Sequence, residues 1–169
     1  MNDIINKQPD FDSLRLELIK QVHERGGHAT SSLSCLEILA SVFQLGDVNK
    51  DTNSNIDFII SKGHAEIGTY LILREYGFIT DEHLKTQYRK GEFELPGHLS
   101  ISINGLIYSS GSLGHGLAFA AGRSIGYSLL NITKKIICLI SDGETCEGST
   151  YEAINFIGNK KLSLSLIHI

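Results

Sequence analysis

The chain has 169 residues, of which 41% are hydrophobic and 20% charged, with a net charge of −4 and only two prolines. This is enough apolar material for one ordered domain with a sizeable core, and an acidic balance without a dense basic patch argues against nucleic acid as a partner. No run reaches the about 18 apolar residues of a membrane span. The N-terminus lacks the basic-then-apolar pattern of a secretory signal, and the three cysteines lack metal-site spacing. Together these predict reduced thiols in a cytoplasmic protein with no membrane partner.

Leu14, Leu16, Leu18, Ile19 and Val22 recur mostly at helical spacing, predicting a helix over 11–23 that Gly26 and Gly27 stop. The apolar residues from Leu33 to Phe43 predict a second helix. Asp57 to Ile60 reads as a short strand with Gly63-His64 at its end. A helix over 67–76 closed by Gly77 follows, then a short helix capped by Thr80 or Asp81. After a loop with Pro96-Gly97-His98, "GSLGHGLAFAAGRSIGYSLL" sets a glycine-rich loop directly before an alanine- and glycine-lined helix. Ile136 to Ile140 is five apolar residues in a row, the pattern of a strand buried on both faces. Ser149-Thr150-Tyr151-Glu152 matches a capping box opening a helix that ends at Gly158 or Asn159, and a further strand is expected from Leu162. Helices alternating with buried strands predict an α/β fold with a doubly wound, mostly parallel sheet, in which ligands bind beyond the carboxyl ends of the strands.

Asp142 falls at such an end, in "IICLISDGETCEG". A lone Asp-Gly is also an ordinary turn, but a carboxylate beside glycine amides suits a hard cation bridging to phosphate oxygens. Four of the seven histidines follow a glycine: His28, His64, His98 and His115. Glycine lets the backbone approach a ligand, and imidazole moves protons near neutral pH, so pairs in loops beside strand ends and helix starts suggest a shared pocket. "GSLGHG" is neither a Walker loop nor a dinucleotide fingerprint; it has the form of an anion-cradling turn at a helix N-terminus, or of tight helix packing at Gly116, Ala120 and Gly122. Glu152 is explained as the capping-box partner, and Glu144 and Glu147 as complements to a helix dipole.

Four blocks in order, "GGHATSSLSCLEIL", "FIISKGHAEIGTYLILREYGFI", "SSGSLGHGLAFAAG" and "SDGETCEGSTYEA", resemble the thiamine-diphosphate-binding N-terminal part of transketolases. The resemblance implies thiamine diphosphate and Mg2+ (or Ca2+) as cofactors. Asp142 would ligate the metal and Gly143 present its backbone to the phosphates. Gly111, Ser112, Leu113 and their backbone would pack on the aminopyrimidine. His64 would lie near the diphosphate and the reactive carbon, while His28 and His98 would line the donor-sugar channel and assist proton movement. Glu147 would couple the two cofactor sites of a dimer. Two departures stand out: Ser141 replaces the first glycine of Gly-Asp-Gly, and Ile56-Asp57-Phe58 lacks the arginine the family often carries there.

The activity implied is transfer of a two-carbon ketol unit from a ketose to an aldose in sugar phosphate metabolism, the pentose phosphate chemistry of the family. A pyrimidine-binding half, in the same chain downstream or as a separate subunit, would complete a homodimer or heterotetramer. The enzymatic alternatives are a phosphoketolase or a 1-deoxyxylulose-phosphate synthase, and the non-enzymatic one is a binding or assembly module of the same fold. Residues 1–163 would form a partial diphosphate-binding domain, incomplete at its C-terminus and inactive alone, with an asparagine metal ligand expected just past Ile169. The six residues from Leu164 to Ile169 are what CTGTCTCTTATACACATC encodes, the transposase end sequence of tagmentation libraries. They are therefore expected to be a non-native tail, the alternative being a coincidental strand.

Overall fold

The first helix, α1 (Phe11–Arg25), begins where the Asp10 carboxylate accepts the Ser13 N–H, and ends at Gly26, whose φ of +77° suits glycine. The computed structural model describes residues 8–49, 54–87 and 95–169. The chain divides into two compact units, Met1–Gly46 with His64–Gly105, and Asp47–Gly63 with Leu106–Ile169.

In the first unit, the helix expected over 33–43 is α3 (Leu36–Gln44), and a short helix the sequence did not suggest, α2 (Ala29–Leu33), precedes it. The break falls at Ser34-Cys35, where Cys35 leaves helical geometry (φ −126°, ψ 6°) and its thiol points back to the Ser31 carbonyl at 3.3 Å. A short 3-10 turn (Gly63–Ala65), which straddles the boundary between the units, leads into α4 (Glu66–Glu75). This helix is buried over its first eight residues, Tyr70 and Leu71 completely. It can lie against α2 because Gly68 has no side chain; a Cβ there would stand 3.0–3.2 Å from Ser32. Gly77 closes α4 at φ +77° as expected, and Thr80 caps α5 (Asp81–Gln87) by accepting the His83 N–H. Arg25 at the end of α1 donates to the Leu84 and Lys85 carbonyls at 2.9 and 2.7 Å, satisfying acceptors in the closing half of α5.

The second unit holds the sheet. Its strands β1 (Ile56–Ile60), β2 (Lys135–Ile140) and β3 (Ser165–His168) lie in the order β1-β2-β3, all parallel. In register, Ile59 pairs with Cys138 and Cys138 with Leu166. The helices α6 (Gly116–Leu129) and α7 (Gly148–Lys160) supply Leu117, Ala120 and Ala153 to a core on the face formed by Ile59, Ile136, Cys138 and Ile140. Phe58, Ile60 and Leu139, which alternate with these, are equally buried, as the apolar runs predict. β3 is an edge strand and is mostly exposed; the stretch expected to be non-native pairs in the sheet. Beside β1, the Asn49 amide mimics a strand partner, donating to the Phe58 carbonyl and accepting the Phe58 N–H, both at 2.8 Å.

At the start of β1 the departure at position 57 acquires a purpose. Asp57 is 2% exposed and binds Arg123 Nε at 2.6 Å, Lys134 Nζ at 3.0 Å and the Tyr127 hydroxyl. Arg123 and Tyr127 share a face of α6 with Phe119, and the guanidinium lies over both rings. Burial and the neighbouring carboxylate push the Tyr127 phenol above its ordinary range, so it stays protonated and donates.

The capping box is a correction. The N-cap of α7 is Glu147, which makes no side-chain cap, and Ser149 lies inside the helix with its hydroxyl donated to the Gly114 carbonyl at 3.1 Å. Glu152 is exposed, so its explanation as a box partner falls. The helix runs past Gly158 and Asn159 to Lys160 and closes on Lys161 in the left-handed conformation. All three cysteines are free; Cys35 and Cys138 are buried and Cys146 is exposed.

Candidate functional site

Three of the four histidines that follow a glycine converge in the first unit. His28 occupies the N-cap position of α2, His64 lies in the 3-10 turn before α4, and His98 is in the loop that follows Pro96-Gly97. The His28 ring stands 6.0 Å from that of His64, edge to face, and 6.4 Å from that of His98, stacked. Local structure explains the convergence. Gly26 and Gly27, at φ +77° and +126°, turn the chain out of α1 and deliver His28. The buried Tyr70 of α4 donates its hydroxyl to the Pro96 carbonyl at 2.7 Å, with the His98 carbonyl at 3.4 Å, and so fixes the loop that carries His98. A fourth group, Glu66, is fully buried beside His28. His115 is not one of the set; it sits at the start of α6 in the second unit, where its Nε2 meets the Ser112 hydroxyl at 3.3 Å.

In the second unit the glycine loop and the end of β2 are joined by one buried carboxylate. Glu144 is completely buried and accepts from the Ser61 hydroxyl, from the Gly114 N–H at 3.1 Å and from the Ser141 N–H at 2.8 Å. Ser61 in turn accepts the Gly116 N–H at 3.1 Å, so the end of β1, the loop before α6 and the end of β2 share a single bonded centre. Sequence reasoning assigned Glu144 only to a helix dipole. The one local signal for it is a carboxylate four residues past the end of a buried strand and three past Ser141, whose N–H it accepts. Burial pushes up the Tyr108 phenol and, more strongly, the Cys138 thiol, with the Glu144 charge acting in the same direction on both, so each stays neutral at pH 7.

Glycine is required at two places here. Gly114 has φ +79°, and a Cβ would press on Ser149, Glu147 and Thr150 at 2.7–2.9 Å; at Gly116 it would overlap the Ser61 side chain. Ser141, in place of the family's glycine, has ordinary backbone angles and donates both its N–H and its hydroxyl to Glu144, so serine strengthens the rim.

Asp142 is exposed, its side chain forms no helix cap, and its carbonyl accepts from the Thr145 N–H and hydroxyl. Gly143 has open space where a side chain would be. Gly111 (φ +140°), Ser112 and Leu113 are exposed in the same unit, Leu113 at 39% despite being apolar. Glu147 is half-buried at the start of α7. The donor set fits a diphosphate held through one carboxylate and a hard cation, which takes further oxygens from phosphate and water. Among the described residues no three His, Cys, Asp or Glu side chains form a complete metal cage. Among them, too, no helix is long and apolar enough to cross a membrane.

The sequence profile described as "Transketolase, thiamine diphosphate binding domain" matches residues 10–169. The chain is 36% identical over 148 residues to one subunit of the apulose-4-phosphate transketolase of Actinobacillus succinogenes, covering 84% of this chain and 53% of that one. It is 34% identical over 155 residues to the transketolase of Mus musculus, covering 88% and 25%. The crystal structure of transketolase from Campylobacter jejuni superposes with a TM-score of 0.80 at 29% identity, over 98% of this chain and 28% of that one. The chain thus spans about half the length of the subunit-type relative and about a quarter of the long ones.

Proposed function

The chain belongs to the transketolase family through its thiamine diphosphate binding domain, and from that membership we propose that it is the diphosphate-binding part of an enzyme moving a two-carbon ketol unit from a ketose to an aldose. The observation that carries the reading is the exposed Asp142 just past the end of β2, in the same unit as a glycine loop that Glu144 anchors at Gly114. Asp142 would hold Mg2+ (or Ca2+), and the backbone at Gly143 would meet the cofactor phosphates. Leu113 with Gly111 and Ser112 would supply an apolar and backbone surface for the aminopyrimidine. Thiamine diphosphate, when bound, supplies the electron sink for cleaving a carbon–carbon bond next to a carbonyl.

The first unit's part is proton handling. His28, His64 and His98 present imidazoles that orient sugar hydroxyls and give or take their protons as the carbonyl forms. The substrates proposed are sugar phosphates. The carboxylate that activates the aminopyrimidine belongs to a pyrimidine-binding half, and a relative named as one subunit of a transketolase supports a separate partner chain. Glu147 would couple paired sites in the resulting homodimer or heterotetramer, in the cytoplasm. We take residues 1–163 as the partial domain and 164–169 as a tail foreign to it; a resequenced gene running through those six codons into continuous coding sequence would refute that assignment.

Calorimetric titration of the full-length product, assembled with its pyrimidine-binding half, tests the reading. Thiamine diphosphate should bind only with the metal present, and an assembly that ignores both overturns the proposal. In the same assembly, His28→Ala or His98→Ala should slow turnover roughly a hundredfold or raise the donor requirement, while cofactor affinity stays at the parent value. A matching loss of cofactor affinity would remove those histidines from the donor channel.

A further inference from the structure

The first unit carries a carboxylate that the roles given to its histidines do not use. Glu66 opens α4, directly after Gly63-His64-Ala65, and its side chain is 0% exposed, whereas the His28 side chain is 48% exposed. Removing a carboxylate from water is costly unless donors or positive charge compensate it. The N-terminus of α4 contributes through the helix dipole. The imidazole contributes directly: His28 Nδ1 lies 3.4 Å from both Glu66 Oε1 and Glu66 Oε2.

His28 also stands at the N-cap position of α2 without making a side-chain cap bond. Its ring is therefore not engaged by the helix, and it is the member common to both ring contacts, with His64 and with His98.

We propose that Glu66 is a positioning residue: its buried carboxylate accepts the Nδ1–H of His28 and so fixes the imidazole in one tautomer and one orientation. Nε2 is then the nitrogen that accepts or donates a proton on the exposed side. Imidazole has two inequivalent nitrogens, and the hydrogen bond made by one decides what the other does. A ring presenting the wrong nitrogen is still in place but carries its proton on the wrong side. In its consequence for turnover the inference rests on the transketolase reading; the tautomer itself does not.

The test is two-bond 15N–1H correlation spectroscopy of the complete assembly with 15N-labelled histidine, at a pH where the ring is neutral. The His28 signals are assigned by their loss in His28→Gln. The unmodified protein should show Nδ1 protonated and Nε2 bare. Glu66→Leu should shift that ring toward Nε2–H and lower kcat roughly ten- to hundredfold, with a smaller change in the donor KM, and Glu66→Asp should restore part of the loss. If Glu66→Leu does not fold, the unmodified spectrum decides alone. Nε2–H on His28 in the parent, or a tautomer indifferent to position 66, overturns the proposal. An intact Nδ1–H signal in an assembly that binds no thiamine diphosphate would support the Glu66 role while counting against the transketolase reading.

Discussion

Glu144→Ala is expected to destabilise the protein by about 3 kcal/mol or more, because it strands the Ser61 hydroxyl and the Gly114 and Ser141 amides at once. A buried donor left without its acceptor costs about 1–3 kcal/mol, and Glu144 is completely buried, so water does not replace the lost oxygen atoms without opening the fold. Glu144→Gln should be milder, since one oxygen still accepts, but its amide would point donors at another donor. Urea denaturation of the assembly reads the effect as a lower midpoint. The alanine variant should also lose cofactor binding, because the loop at Gly114 and the rim at Ser141 no longer share an anchor. A midpoint unchanged from the parent would show that Glu144 is not the brace.

Asp142→Asn should leave the fold intact and weaken thiamine diphosphate binding chiefly when magnesium is limiting. The substitution keeps the shape and the backbone bonds, in which the Asp142 carbonyl accepts from Thr145. It removes only the negative charge, which a hard cation needs more than a neutral oxygen. Because Asp142 is exposed and its side chain caps nothing, thermal stability should stay within about 0.5 kcal/mol of the parent. Metal titrations should separate, with the mutant needing more magnesium for half-saturation with cofactor. Superimposed curves would exclude Asp142 as the ligand.

These two acids show what the sequence could and could not reveal. The place of Asp142, exposed just past a buried strand, was legible because its setting is local: five apolar residues, a polar rim, then glycine. Glu144, two residues on, was not, because its partners lie 83 and 30 positions away, at Ser61 and Gly114, and only tertiary structure brings them to it. The same non-locality defeated the capping box. The Ser-Thr-Tyr-Glu spacing is right for a local cap, but Ser149 finds a stronger claim in the Gly114 carbonyl.

The elements themselves followed from periodicity and stop signals, with glycine at positive φ ending α1 and closing α4 where expected. The break between α2 and α3 carries neither glycine nor proline, so nothing in the chain announced it. Three of the four histidines that follow a glycine met, as a shared pocket requires, and the fourth went to the other unit. Glu66 gave no warning, since one acidic residue at a helix start is ordinary and its burial is visible only once the helix has docked.

The anchorage at Asp57 bears on how such genes can be recombined. One acid in β1 holds Arg123 from α6 and Lys134 at the entry to β2, so the three positions form a charge-matched set that stretches from position 57 to position 134. Transplanting β1 alone from a relative with arginine in that place would bring three cations together with no anion between them, in a setting where Asp57 is 2% exposed. A crossover anywhere between positions 57 and 134 therefore separates Asp57 from at least one of its cations, while one upstream of 57 or downstream of 134 keeps the set whole. Viable chimeras should cluster at those outer breakpoints, and a variant that imports the arginine should tolerate it only when position 123 changes sign with it.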